Sequence, residues 1–320
     1  MINKIITLFL KESSILLITL LTSTLLYYFI QKFFIKYKII DKINERSSHS
    51  SIATRSGGIS IFISIFIIST YFYINELEIY DFSIIIPLFL LLIVGLYDDV
   101  YNIDFKLKFI FQIIAAKILI DNGFIIDNLH GIFGIFELNR IISQLLTIFI
   151  IVAIINSINF IDGIDGLASS VILLFIIMFE FFSIATTPFI NLSLMLIVSL
   201  IPFFFFNFKK KYKIFLGDSG SLFLGGIVSA YVIFILSQKY IIKPEFDIHK
   251  ILFVLSILIY PIVDIIRITI KRIIQKRSPF EADKNHLHHI ILDKINSHLY
   301  TTLMITALSI FFIVLIQIIF

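Results

Sequence analysis

No cysteine occurs in the 320 residues, so disulfides, thiolate nucleophiles and cysteine-ligated zinc are excluded. Charge is scarce as well. Asp, Glu, Lys and Arg make up 15 % of the chain, against about a quarter in ordinary soluble domains, while 59 % is hydrophobic. That balance points to a polytopic membrane protein, because apolar runs of near-spanning length recur along the whole chain. The net charge of +4 is modest and reflects loop lysines rather than a nucleic-acid surface, so no nucleic acid is expected as a partner. No small-residue cleavage site follows the first apolar run, and no cleavable signal peptide is expected.

What is present is a series of ten apolar segments, at about 13–35, 57–74, 82–98, 106–121, 141–160, 166–184, 188–207, 219–237, 250–272 and 300–320. They predict an all-α polytopic membrane protein of about ten transmembrane helices, one integral-membrane domain over residues 1–320. Several fall short of the roughly 20 residues a bilayer asks for, so some helices tilt little or pack inside the bundle. Basic residues set the orientation. Lys32, Lys36, Lys38, Lys42, Arg46 and Arg55 follow the first span, and Lys209, Lys210, Lys211 and Lys213 follow the seventh. Lys271, Arg272, Lys276, Arg277, Lys284 and Lys294 crowd the last long loop. These loops should be cytoplasmic, with both termini outside; Lys239, Lys243 and Lys250 are the counter-signal. The loops on the basic side also hold nearly every polar cluster, which predicts one active site at the cytoplasmic face of a plasma membrane.

Asp98 and Asp99 close the third span in "GLYDDVYNID". Adjacent acids at a helix C-terminus add to a dipole already negative there, so a cation or a proton-transfer task is the natural compensation; a solvated loop pair is the bland alternative. In "NSINFIDGIDGLA", Asp162 and Asp165 would share one face if the turn is helical. Helix capping by Asp165 explains one aspartate, but not both together with Asn156 and Asn159. "FLGDSGS" sets Asp218 between glycines at a helix start, where backbone N–H groups suit phosphate and the carboxylate suits Mg²⁺, a simple cap being the alternative. "HLHH" supplies His286, His288 and His289; without cysteine or an HExxH motif, phosphate or proton handling is favoured over zinc. Asp264 and Arg267, three apart inside the ninth segment, read as a structural ion pair. Acids and basic groups gathered on a membrane face suit Mg²⁺-assisted chemistry on a diphosphate, that is, phosphoryl transfer between a soluble nucleotide and a lipid phosphate.

"DDVYNIDFKLKFIFQ", "NSINFIDGIDGLA", "KIFLGDSGSLFLG" and "RSPFEADKNHLHH" resemble, in order, the signatures of the polyprenyl-phosphate N-acetylhexosamine-1-phosphate transferases, the MraY/WecA-like superfamily. "DKINERSSHSSIATRSGG" resembles that family's first cytoplasmic loop. The resemblance implies that undecaprenyl phosphate, held in the lipid bilayer, attacks the β-phosphorus of a UDP-N-acetylamino sugar, and that UMP leaves. It implies Asp98 as the group that deprotonates or positions the lipid phosphate, with Asp99 assisting. Asp218 matches a Mg²⁺ ligand (Mn²⁺ the substitute), with Asn156 a neutral oxygen ligand. Asp162, Asp165 and Asn159 match the nucleotide site, and Phe215 an aromatic that stacks on uracil, with Asn207 beside it. Lys106 and Gln112 match the basic and amide positions after the acid pair, and His288 and His289 the paired histidines near the diphosphate, with His286 beside them as a further substrate-binding candidate. A homodimer is the assembly the resemblance suggests.

The chain departs from the pattern in places. Ile43 and Ala53 stand where prolines are often found, and the segment 207–215 is lysine-rich. His-Leu-His-His replaces three consecutive histidines, which favours surface-glycan synthesis, such as O-antigen or teichoic acid, over the phospho-MurNAc-pentapeptide branch of peptidoglycan synthesis. GlcNAc is the default sugar, with FucNAc and QuiNAc as alternatives. A secondary transporter would place its acids near the bilayer midplane instead of at span ends, and a lipid-binding scaffold is a further alternative.

Overall fold

The computed structural model describes residues 13–41, 52–77, 79–237, 240–242, 249–278 and 285–319. Lys42, Ile43, Arg46, Lys239, Lys243 and Lys284 lie outside those residues. Among the described residues, twelve α-helices and one short ladder follow in order: α1 Ser13–Lys36, β1 Ala53–Thr54, α2 Gly57–Ile74, α3 Ile85–Tyr101, α4 Phe105–Asp121, α5 Arg140–Ile161, α6 Leu167–Phe182, α7 Ile190–Asn207, β2 Lys213–Ile214, α8 Gly217–Leu236, α9 His249–Ile257, α10 Ile259–Ile274, α11 Leu287–Ile295 and α12 His298–Ile319. Among the described residues seven helices are long and apolar enough to cross a membrane, or eight if the bent pair α9–α10 is one span. The expected segments at 106–121 and 166–184 are helical, but at 17 and 16 residues they fall below spanning length.

Local chemistry sets the helix starts. Asp104 accepts the backbone N–H of Lys106 at 3.2 Å, and Asn139 accepts that of Ile142 at 3.0 Å, so α4 and α5 both begin on side-chain caps. The expected continuous helix 250–272 is broken: α9 and α10 meet at 74°. Pro261 is the cause, because it has no N–H to donate to the carbonyl of Ile257 four residues earlier and its ring crowds that carbonyl.

The bundle is organised around α8, 89 % of whose apolar window is buried. It packs most extensively on α3 and α5, and also meets α2. Contact is close enough to exclude side chains: a Cβ on Gly58 would sit 2.1 Å from the backbone nitrogen of Gly220. Small residues let membrane helices approach in this way, and dispersion then replaces the hydrophobic drive that lipid does not supply. The outer helices α1 and α12 are only 28 % and 22 % buried over their apolar windows, as lipid-facing helices are.

A parallel two-residue ladder pairs Ala53 with Lys213 and Thr54 with Ile214. It continues as Phe215 N–H to Thr54 O at 2.8 Å, Gly57 N–H to Phe215 O at 2.9 Å and Gly58 N–H to Leu216 O at 3.0 Å. The starts of α2 and α8 are thereby tied together at the end of the bundle where the acid-bearing turns meet.

Candidate active site

A cavity of about 350 Å³ opens at that end, lined by Lys108, Gln112, Asn156, Asn159, Asp162, Asp218, Arg272, His286 and His289, with Phe105, Phe109, Phe160, Gly163 and Leu222 between them. Its centre is a lysine between two acids. The Lys108 ammonium donates to Asp98 Oδ2 at 2.9 Å and to Asp218 Oδ2 at 2.7 Å. The chain reverses just beyond Asp98, where Asn102 takes a left-handed conformation, and Ile103 N–H donates to Asp98 Oδ1 at 2.8 Å. One oxygen of Asp98 is thus held by the turn and the other is aimed across at α8. Asp218 Oδ1 accepts from Asn159 Nδ2 at 3.2 Å, and the same amide reaches Ser221 Oγ at 2.8 Å.

Asp99 points elsewhere. Its side chain is 1 % exposed and accepts the backbone N–H groups of Asp218 and Ser219 at 2.9 and 3.0 Å, while Arg55 Nη1 lies 3.6 Å away and also pairs with Asp41 at 2.7 Å. This carboxylate satisfies N–H groups at the start of α8 that have no partner within the helix. Its contacts anchor the start of α8, and it makes no contact with Lys108 such as Asp98 makes.

The other expected residues separate in the same manner. Asp162 lines the cavity, and burial first, then the nearby charges of Asp218 and Asp99, raise its carboxyl well above the usual carboxylate range. Asp165 turns away, because residues 162–166 form turns and not a helix, and the expected shared face is lost. Its carboxylate is paired with Lys213 and its carbonyl accepts from Thr302 Oγ1 at 2.9 Å, which fastens this turn to β2 and α12. Asn156 pairs with Gln112 by reciprocal amide bonds of 2.6 and 3.3 Å, which engages the oxygen expected to face a metal; Asn159 is the asparagine that meets Asp218. Asn207 is buried and donates to Ile214 O at 2.8 Å, away from the cavity. Phe215 lies on the ladder, outside the cavity lining. Lys106, the expected basic position after the acid pair, is exposed on the first turn of α4, and it is Lys108 that lies between the acids. The spacing carried the missed signal: Lys108 and Gln112 are four apart and share a helix face, whereas Lys106 does not lie on it.

The histidines divide too. His286 lines the cavity with its Nδ1 at 2.6 Å from Asp264 Oδ2, which leaves Nε2 for a ligand. Asp264 Oδ1 also accepts from Leu287 N–H at 2.8 Å and from Arg267 Nη2 at 3.1 Å. The expected ion pair is present, then, and it also caps α11 and orients a site histidine. Asp264, His286 and His288 place ligand atoms within 4.8 Å of one another. Leu287 N–H and Arg267 hold Oδ1 and His286 Nδ1 meets Oδ2, so in this structure the cluster is a hydrogen-bonded support. His288 is fully buried with Nδ1 3.0 Å from the Tyr260 hydroxyl, and burial together with the neighbouring His289 pushes its pKa down to about 3. A Cβ on Gly163 would lie 2.7 Å from His288 Nε2 and 3.0 Å from His289 Nε2, so only glycine lets the 162–166 turn rest on both rings.

For a cation, the carboxylate oxygens of Asp98 and Asp218 converge on one point, taken here by the Lys108 ammonium, with the Asn159 amide nitrogen on Asp218 and no sulfur. Such hard donors suit magnesium.

The pattern of the family described as "Glycosyl transferase family 4" matches residues 81–236. Over 302 residues, 92 % of this chain and 81 % of the relative, the chain is 33 % identical to the "Probable undecaprenyl-phosphate N-acetylglucosaminyl 1-phosphate transferase" of Bacillus subtilis (strain 168). It is 34 % identical to the "Undecaprenyl-phosphate alpha-N-acetylglucosaminyl 1-phosphate transferase" of Pasteurella multocida (strain Pm70), covering 87 % of this chain and 78 % of that one. To the "Decaprenyl-phosphate N-acetylglucosaminephosphotransferase" of Mycolicibacterium smegmatis (strain ATCC 700084 / mc(2)155) it is 29 % identical, covering 89 % and 77 %. With the motif order, the acid-lined cavity and these alignments in agreement, the chain belongs to glycosyl transferase family 4, the family of the polyprenyl-phosphate N-acetylhexosamine-1-phosphate transferases.

Proposed function

We propose that this protein transfers an N-acetylhexosamine 1-phosphate, GlcNAc 1-phosphate by default, from a UDP-sugar to undecaprenyl phosphate and releases UMP, as the first membrane step of a cell-surface glycan. The observation that carries this reading is the Asp98–Lys108–Asp218 cluster in a polar cavity beside an apolar groove. The groove, about 600 Å³, is lined by residues such as Phe149, Ile154, Val232, Leu255, Ile266 and Ile270. α5 and α10 line both spaces: Asn156 and Asn159 face the cavity where Ile154 and Ser157 face the groove, and Arg272 faces the cavity where Ile270 faces the groove. A lipid phosphate whose isoprenoid tail lies in the groove would have its headgroup at the cavity.

An oxygen of the lipid phosphate attacks the β-phosphorus of the UDP-sugar. The bond from that phosphorus to the bridging oxygen breaks, and the electron pair leaves with UMP. Asp98 holds or accepts the proton of the lipid phosphate, its geometry fixed by Ile103 N–H. Lys108 and Arg272 supply positive charge to the diphosphate and His286 a ring nitrogen beside it, where fixed dipoles act more strongly than they do in water. With Lys108 turned to the diphosphate, Asp218 and the amide oxygen of Asn159 would hold Mg²⁺, which supplies charge neutralisation on the diphosphate when bound. The lysine-bearing end is cytoplasmic in this reading, the donor being a soluble nucleotide, and the membrane is the bacterial plasma membrane.

The test is to offer the purified protein UDP-GlcNAc and UDP-MurNAc-pentapeptide separately, scoring UMP and lipid-linked product. Turnover of UDP-GlcNAc is expected. Turnover of the pentapeptide donor alone would move the protein to the peptidoglycan branch, and uptake into proteoliposomes without UMP release would make it a carrier.

A further inference from the structure

We propose that the corner where the end of α1 meets the segment after α7 is a binding surface for the headgroups of anionic phospholipids, separate from the catalytic cavity. The two segments are fixed to each other. Tyr27 donates from its hydroxyl to Ser199 O at 3.0 Å and packs its ring against Phe203 and Phe206, with centroids 6.1 and 5.7 Å apart. One turn further on, Gln31 Nε2 donates to Tyr212 O at 2.7 Å and to Lys213 O at 3.2 Å. The charges that follow on both segments therefore belong to one rigid corner.

Those charges have a single sign. Residues 13–38 and 190–213 contain no Asp or Glu. Lys213 is turned inward to Asp165, and Asp41 is engaged by Arg55. Lys32, Lys36, Lys38 and Lys211 are exposed, and Lys209 is half-buried. Three of these ammonium groups rest against aromatic faces: Lys32 4.2 Å from the Tyr28 centroid, Lys209 3.9 Å from Phe206 and 4.6 Å from Phe205, and Lys36 5.5 Å from Tyr37. Such contacts hold each cation at the ring while its outer face stays open to an anion.

Directly beside them the surface is apolar. Phe29, Phe33 and Phe205 are 60, 53 and 67 % exposed. A row of lysines over exposed phenylalanines at the end of two membrane helices is complementary to a molecule with an anionic head and an acyl body, and not to a free anion or a solvated protein surface. Positive charge with no acidic residue on either of the two described segments repels itself, and an anionic headgroup relieves that repulsion. None of these residues lines the catalytic cavity, whose walls come from α4, α5, α8, α10, α11 and the turns next to them.

The full chain, purified in a neutral detergent, is titrated with phosphatidylglycerol and separately with phosphatidylcholine, and lipid retention is read by native mass spectrometry. Phosphatidylglycerol should be retained on the order of tenfold more tightly, a preference that collapses at about 0.5 M salt, where exposed charges are screened within a few ångströms. Exchange of all five lysines, K32Q/K36Q/K38Q/K209Q/K211Q, should abolish the preference, the same five positions as Arg should keep it, and K117Q/K294Q on other surfaces should not alter it. An unchanged preference in the five-Gln variant overturns the proposal. So does a five-Gln variant that keeps the preference but differs from wild type in oligomeric state, which would assign the corner to a second copy of the chain. Should the five-Gln variant fail to fold, wild-type protein decides alone: a preference for phosphatidylglycerol unmoved by salt overturns the proposal.

Discussion

Asp99 accepts the backbone N–H of Asp218 at 2.9 Å, so the second acid of the Asp98–Asp99 pair serves as the anchor of the helix that carries the third. Neighbours in sequence face opposite ways here: Asp98 turns into the Lys108 cluster and Asp99 caps α8. Asp99→Ala leaves two buried N–H groups without an acceptor and should cost about 1–3 kcal/mol of stability, together with activity, because Asp218 loses its support. Asp99→Asn keeps one carbonyl acceptor and should cost less on both counts. Thermal unfolding in detergent, run beside UMP release, checks this; an alanine variant as stable as wild type but inactive would make Asp99 a chemical group.

Asp98→Asn and Asp218→Asn should behave differently. Both retain an oxygen for the local hydrogen bonds to Ile103 N–H and Asn159 Nδ2. Folding should be nearly unchanged, while the rate falls on the order of 10²-fold or more, as for groups that act in the transition state. Near-normal UMP release by either variant in a Mg²⁺-containing assay would remove that residue from the proposed chemistry.

Lys106 and Lys108 are two residues apart, and the helix puts them on different faces. Lys108→Ala breaks two ion pairs of 2.9 and 2.7 Å and leaves Asp98 and Asp218 facing each other uncompensated. Its rate should fall about 10²-fold, whereas Lys106→Ala, on an exposed site, should stay within a few-fold of wild type. A reversal of that order, measured at saturating donor, would restore the assignment made from sequence.

What was legible follows from what each signal measures. Apolar run length located the helices, because burying or lipid-facing hydrocarbon is what makes them, but it overran at Pro261, where one missing N–H breaks a run that hydropathy reads as continuous. The motif acids gather at one end of the bundle, as their spacing along the chain led one to expect. Their directions were not legible, since Asp162 and Asp165 diverge through non-helical turns and Asn207 spends its amide on Ile214. The β1–β2 ladder left no trace, two residues per strand being too short for any alternation to register. Asp264 looked self-sufficient with Arg267 because a sequence shows the partner three residues away and not His286, which lies 22 residues on.

His288 supplies the remaining prediction. An ordinary histidine titrates near 6.5, and burial with His289 alongside holds His288 near 3. Between those values the unfolded chain binds a proton that the folded chain refuses. The contribution of neutral His288 to stability is therefore complete above about pH 6.5 and is lost as pH falls toward 3, by at most about 1.4 kcal/mol per unit. Asp162 works in the opposite sense: its raised pKa lets the folded state hold a proton more readily, so its contribution weakens as pH rises through that value. The two are separated by comparing wild type with His288→Gln, which still offers polar atoms toward the Tyr260 hydroxyl but cannot titrate. Unfolding temperatures measured from pH 7.5 down to 5 should fall more steeply for wild type, and the gap between the two proteins should narrow as the solution is acidified. Parallel slopes would mean that His288 takes up its proton in the folded protein as readily as in the unfolded chain, and that burial does not hold it neutral.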